Sequence, residues 1–100
     1  MSNDPDERAA DLLRRGYVEV AEIDSLHVGD RIRHWNEQYP TAYQSGTGSI
    51  ERIFHRPSPS FERKWGTKDV ELIIRRDQPR FGPDDTHAYV ANYHVTGVPA

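Results

Sequence analysis

The stretch KDVELIIRR, residues 68–76, is the clearest structural element of this sequence. It alternates as a half-buried β-strand does, with Val70, Leu72 and Ile74 on one face and the residues between them on the other. Because an apolar strand face has to be buried, this stretch predicts a fold built around a β-sheet.

Four further stretches also have the composition of strands, and no helical stretch separates the five. The predicted strands are residues 17–22, 29–35, 48–56, 68–76 and 87–96. Ile50 and Ile53 break the alternation of the third strand, which indicates a β-bulge or a strong twist. In the last strand we expect one side to carry Tyr89, Ala91, Tyr93 and Val95.

A short helix is predicted ahead of the strands, from about Pro5 to Arg15. Asp4 can cap its first turn, where Pro5 is also well suited, and Gly16 is a natural residue to end it. Its apolar stripe is narrow and consists of Ala9, Leu12 and Leu13. Three turns are marginally stable alone, so we expect this stripe to dock on the sheet.

The order of these elements predicts a mainly β (α+β) fold. Strands without crossover helices between them pair antiparallel. Five short, twisted strands cover both faces of an open sheet poorly, so we expect them to curl into a small barrel. One hundred residues suffice for one domain, which we place over residues 1–100.

Two glycine turns resemble those of a known family. The segments LHVGDRIR, residues 26–33, and GTGSI, residues 46–50, are similar to the opening strands of SH3-like small barrels, including KOW-type modules. The resemblance implies that the predicted barrel is SH3-like, with a turn at residues 46–48. In overall texture the chain also resembles small uncharacterised proteins of actinobacterial phages, which implies an accessory protein that binds and modulates a host protein.

The long connections carry most of the candidate binding residues. Residues 57–67 are predicted to form a loop that places large aromatic side chains among basic ones, and residues 77–86 and 36–45 form two more aromatic loops. The candidate binding residues are Arg56, Phe61, Arg63, Lys64, Trp65, Arg80 and Phe81. Outward-facing aromatics of this kind anchor protein interfaces or stack on nucleobases. Alternatively, Phe61 and Trp65 fold inward as a lid over one barrel end.

Charge is distributed unevenly along the chain. The net charge is −3, but residues 1–30 hold eight acidic side chains against three arginines, and residues 51–80 hold eight basic against five acidic. This division predicts an acidic end and a basic face, unless the charges simply mix on the surface.

Composition also limits the compartment and the chemistry. The absence of cysteine excludes disulfides and thiolate catalysis and agrees with a cytoplasmic location. No signal peptide or membrane-spanning run is apparent, so no membrane partner is expected. The five histidines have no zinc-site spacing, no serine lies in a nucleophile elbow, and Asp84, Asp85 and His87 are typical of turn chemistry. We therefore expect no cofactor, metal or catalytic residue.

These observations leave three functional hypotheses. The first is a non-catalytic protein-interaction module with another protein as its partner. The second is a nucleic-acid-binding barrel that uses Arg52, Arg56, Arg63, Lys64, Arg75 and Arg76 with Phe61 or Trp65 stacking. The acidic net charge disfavours this second hypothesis. The third is a small enzyme whose catalytic groups meet only in three dimensions.

Overall fold

A computed structural model of the chain describes residues 4–34, 46–79 and 83–97. Its helices are α1 (Pro5–Arg14) and α2 (Pro59–Trp65), and a 3-10 helix covers Asn92–His94. Its strands are β1 (Val18–Val20), β2 (Glu22–Ile23), β3 (Leu26–His27), β4 (Arg31–His34), β5 (Gly46–Arg56), β6 (Asp69–Arg76), β7 (His87–Ala91) and β8 (Val95–Gly97). Within this described part, no helix has the length and apolar character needed to cross a membrane.

The main sheet is antiparallel and has the strand order β7-β6-β5-β4-β8. β1 joins it by pairing with the second half of β5, while β2 and β3 form a separate hairpin. The prediction of a mainly β, antiparallel fold behind an N-terminal helix is therefore confirmed. The predicted five-stranded closed barrel is not, because in the described residues the hydrogen-bonded path ends at β7 and β8 instead of closing.

The longest strand, β5, contains the predicted bulge. Its register against β6 shifts between Ile50 and Arg52. Ile50 and Ile53 are both fully buried in the same cluster, and strict alternation would turn one of them to the opposite face. The extra residue of the bulge, Glu51, resolves this conflict. Residues 46–48, expected to form a turn, instead begin this strand.

Apolar layers cover both faces of the sheet. The inner layer contains Ile32, Ile50, Ile53, Val70, Leu72, Ile74, Ala88 and Val90, and Ile23 and Leu26 of the hairpin pack against it. The outer layer lies under α1, where Ala9 and Leu12 pack with Tyr17, Phe54 and Ile73. The predicted docking of α1 is thus confirmed, although Leu13 of the expected stripe is 50% exposed.

The predicted last strand is interrupted. β7 ends at Ala91, the 3-10 helix Asn92–His94 follows, and β8 pairs with β4 at the far side of the sheet. Ala88 and Val90 are the residues of β7 that enter the inner layer. The expected single face carrying Tyr89, Ala91, Tyr93 and Val95 is therefore wrong, because the 3-10 helix changes the direction of the chain before Tyr93.

A bidentate ion pair joins the ends of β4 and β6. The Arg31 guanidinium binds both carboxylate oxygens of Asp77, one of them at 2.6 Å, and the Thr47 hydroxyl donates to the same carboxylate. These two donors lower the pKa of Asp77 from its ordinary value of 3.8 to about 2. The pair thus favours the folded state only while Asp77 is ionised.

Substituting Gly48 by alanine should destabilise the fold. A Cβ at this position would clash with the backbone oxygen of Arg75 and lie 2.8 Å from Cγ2 of Ile74. We expect a loss of about 1–3 kcal/mol in the free energy of unfolding, measured with urea. Gly97→Ala, where nothing lies within 4 Å of the added carbon, is the matched control and should change it little. Equal losses in the two variants would contradict this packing.

The Arg31–Asp77 pair should give the chain an acid-sensitive stability. A group whose folded pKa is lowered stabilises the fold above its unfolded pKa and loses this contribution as the pH falls through the folded value. The wild type should therefore exceed Asp77→Asn in thermal unfolding midpoint near pH 5, and the difference should shrink as the pH falls towards 2 and be lost below it. A difference that stays constant over this range would show that the carboxylate charge has no such role.

Candidate functional site

The segment predicted as an aromatic–basic loop contains the helix α2, which corrects that prediction. Local residues cap the start of the helix. The Ser58 hydroxyl accepts a hydrogen bond from the Phe61 amide at 3.3 Å, and Pro59 occupies the first turn. Gly66 ends the helix with φ of 71° and donates its amide to the Glu62 carbonyl. None of the seven residues of α2 is buried, so its caps, and not core packing, define its two ends.

Aromatic and basic side chains are exposed on α2. Trp65 is 61% exposed, Phe61 is half-buried, and the centres of their rings are 6.3 Å apart. The ammonium of Lys64 lies 5.1 Å from the centre of the Trp65 ring, and Arg63, two positions before Trp65, is also exposed. We call Phe61, Arg63, Lys64 and Trp65 the α2 surface.

The α2 surface is aromatic and positively charged. In the described part of the chain neither Arg63 nor Lys64 forms an ion pair with a carboxylate, so both charges are available to a ligand. The alternative of an inward-folded lid is not met by Trp65, which is 61% exposed, while Phe61 is half-buried.

Arg56, also predicted to bind, is instead engaged in the fold. Its guanidinium binds Asp69 at 2.8 Å and lies 4.9 Å from the centre of the Tyr17 ring. Asp69 is only 6% exposed, and the Tyr17 hydroxyl donates to it at 2.8 Å. Burial, and then this hydrogen bond, raise the pKa of Tyr17 to about 12. Arg80 and Phe81, the remaining predicted residues, lie outside the described residues, as does the predicted loop 36–45.

A cleft of about 370 Å³ opens at the C-terminal end of α2. Its lining consists of Asp24, Glu62, Gly66, Thr67 and Lys68. Lys68 binds Asp24 at 2.9 Å, and this hydrogen bond raises the pKa of Lys68. Sequence reasoning missed Asp24, since it lies 44 positions before Lys68 and no local pattern relates the two.

The predicted division into an acidic end and a basic face is largely cancelled by ion pairs. Arg52 binds Glu19 at 2.7 Å, which raises the pKa of the arginine and lowers that of the glutamate. Arg76 faces Asp85 at 3.4 Å and Arg75 faces Glu51 at 4.0 Å. The strand cations of the nucleic-acid hypothesis therefore already have carboxylate partners.

His87 is held by a hydroxyl and a carboxylate. Its Nδ1 lies 2.7 Å from the Thr86 hydroxyl, and its Nε2 lies 3.1 Å from the Glu51 carboxylate, which extends from the bulge of β5. The imidazole is 8% exposed, so this arrangement satisfies a buried polar ring. Nowhere in the described ranges do three histidine, aspartate or glutamate side chains come together as metal ligands would.

Comparison with known proteins found no similar chain: no protein-family model, no curated protein and no solved structure matches this sequence.

The different positions of Arg56 and Arg63 lead to a stability prediction. Arg56→Met leaves the buried Asp69 carboxylate without its cation, and we expect it to lower the free energy of unfolding by about 1–3 kcal/mol. Arg63→Met removes the same charge from an exposed helix position and should change it by less than about 0.5 kcal/mol. Urea unfolding of both variants would measure this difference, and similar values for the two would contradict the assignment.

Proposed function

We propose that this chain is a protein-interaction module that binds an acidic segment of a partner protein through the α2 surface. The observation that carries this proposal is the exposure of Trp65, 61%, on a helix whose two cations, Arg63 and Lys64, have no carboxylate partner in the described part of the chain, with Lys64 5.1 Å from the centre of the Trp65 ring. Tryptophan and arginine are enriched among the residues that contribute most to protein interfaces.

The construction of α2 supports a role in binding. A helix that buries none of its residues contributes little to the core, yet it is capped at both ends and so has a defined shape. An exposed apolar patch rimmed by polar residues is typical of a protein-interaction site, and here the exposed Trp65 stands beside the half-buried Phe61. The cations Arg63 and Lys64 make a negatively charged partner segment the best match for this surface.

The nucleic-acid alternative receives less support. Of the six cations that it invokes, Arg52, Arg56, Arg75 and Arg76 are paired with carboxylates. For Arg56, phosphate binding would require breaking its pair with the buried Asp69 carboxylate. Arg63 and Lys64 alone offer a short contact for a nucleic-acid backbone, whereas they suffice for a small acidic protein segment.

We also propose that the sheet has an SH3-like arrangement. The 3-10 helix that leads from β7 to β8, and the pairing of β8 with β4, bring the last strand beside an early one, as curling into a barrel requires. Under the phage resemblance, the partner would be a host protein whose activity the module changes by occupying an acidic segment.

Selection from a displayed random-peptide library would test the proposed function. Peptides recovered on the immobilised wild-type chain should be rich in aspartate, glutamate and apolar residues. The Trp65→Ala variant should bind the recovered peptides about tenfold or more weakly than the wild type does, measured by fluorescence anisotropy. The double variant Arg63→Gln, Lys64→Gln should lose affinity to a similar degree. Leu13→Ala, which removes a half-exposed apolar side chain from α1, is the matched control and should leave binding unchanged.

Three results would refute the proposal. One is the recovery of no specific peptide, and another is equal affinity of the recovered peptides for the wild type and Trp65→Ala. The third is tighter binding of a single-stranded oligonucleotide than of any acidic peptide, with affinity that falls steeply with salt.

A further inference from the structure

The ion pair beside α2 joins two distant segments that are otherwise loosely connected. Lys68 follows Trp65 by three positions, at the point where the chain leaves α2 for β6. Asp24 lies at the tip of the β2–β3 hairpin, which forms a sheet of its own with two residues in each strand. The hairpin is held to the main sheet by Ile23 and Leu26, so its tip can move without breaking the main ladder.

Asp24 also has an unusual backbone. Its φ is 53°, the one positive value found at a non-glycine residue within the described ranges. Aspartate and asparagine tolerate this conformation better than other side chains do. The tight turn presents the Asp24 carboxylate to solvent and to Lys68 at the same time, with 57% of the side chain exposed.

Clefts lie on both sides of this carboxylate. One is the 370 Å³ cleft at the end of α2, and the other, of about 250 Å³, lies between the hairpin and β8 and includes Leu26, Asn92 and Val95 in its lining. Among the described residues, Asp24 is the one that the linings of these two clefts share.

The ion pair between Lys68 and Asp24 is weak enough for an external carboxylate to displace Asp24. Both side chains are more than a third exposed, and exposed ion pairs contribute little to stability. A carboxylate from outside could replace that of Asp24 on Lys68 at little cost, because one carboxylate exchanges for another. Trp65 lies three positions before Lys68 in the chain, and its side chain is 61% exposed.

We propose, on the basis of the function proposed above, that Asp24 is an intramolecular competitor of the partner for Lys68. In the free protein its carboxylate occupies Lys68, and in the complex a carboxylate of the acidic segment takes its place. The bound segment then extends from the α2 surface to Lys68 at the end of the helix. Asp24 therefore competes with the partner and lowers the affinity of the site.

Substitution of Asp24 by asparagine tests this competition. Asparagine keeps the tolerance for positive φ and removes the charge. The probe is a fluorescein-labelled peptide of twelve residues containing only glutamate, aspartate, leucine and phenylalanine, titrated at low salt. Asp24→Asn should bind it about threefold more tightly than the wild type does, since a weak competitor has been removed. Lys68→Gln should bind it more weakly.

Two controls separate competition from a general charge effect. Glu7→Gln makes the same change in net charge at an exposed position of α1 and should leave the affinity unchanged. In the Lys68→Gln background, Asp24→Asn should no longer increase the affinity, because the contested cation is absent. A gain that persists there, an equal gain with Glu7→Gln, or no gain with Asp24→Asn would overturn the inference.

Trp65→Ala distinguishes this inference from the proposed function. If Trp65→Ala loses the peptide while Asp24→Asn has no effect, the α2 surface binds but Asp24 is not a competitor. If the peptide binds neither the wild type nor Asp24→Asn, both proposals are wrong. If a twelve-nucleotide single strand gains affinity in Asp24→Asn instead of the peptide, the competition is real but the protein partner is wrong.

Discussion

The burial of both faces of β5 and β6 constrains the rest of the structure. Ile50 and Ile53 have to meet in the inner layer, while Phe54 and Ile73 have to be covered on the outer side by α1. Neither face of this part of the sheet is left for a ligand. The exposed aromatic and the clefts therefore lie at the periphery, where α2 and the β2–β3 hairpin extend beyond the two layers.

The elements that depend on local pattern were predictable from the sequence. The alternation of β6, the caps of α1 and the two isoleucines that require a bulge in β5 are each visible within a few residues. The helix α2 also had local signals in Ser58 and Gly66. These signals did not decide between a helix and a loop, because two prolines and a mixture of aromatic and basic residues are equally typical of a loop.

Features that depend on tertiary placement could not be predicted in this way. The Arg56–Asp69 pair and the Lys68–Asp24 pair are formed by chain topology. Arg56 ends a predicted strand and Arg63 lies in a predicted loop, but the sequence does not show that Arg56 stands opposite Asp69 on the neighbouring strand. The charge division is a similar case. The acidic first third and the basic segment are separate in sequence, but the fold places Glu19 on Arg52 and Asp24 on Lys68. Separation along the chain thus did not become separation in space.

The independence of α2 from the core has a consequence for how such a protein can change over generations. Its caps fix the helix while its outward positions are free of packing constraints, so substitutions there carry little penalty in folding. Under the proposed function, related chains could acquire new binding specificities by varying these few positions while the sheet beneath stays the same. Adaptation to an altered partner would then require few mutational steps.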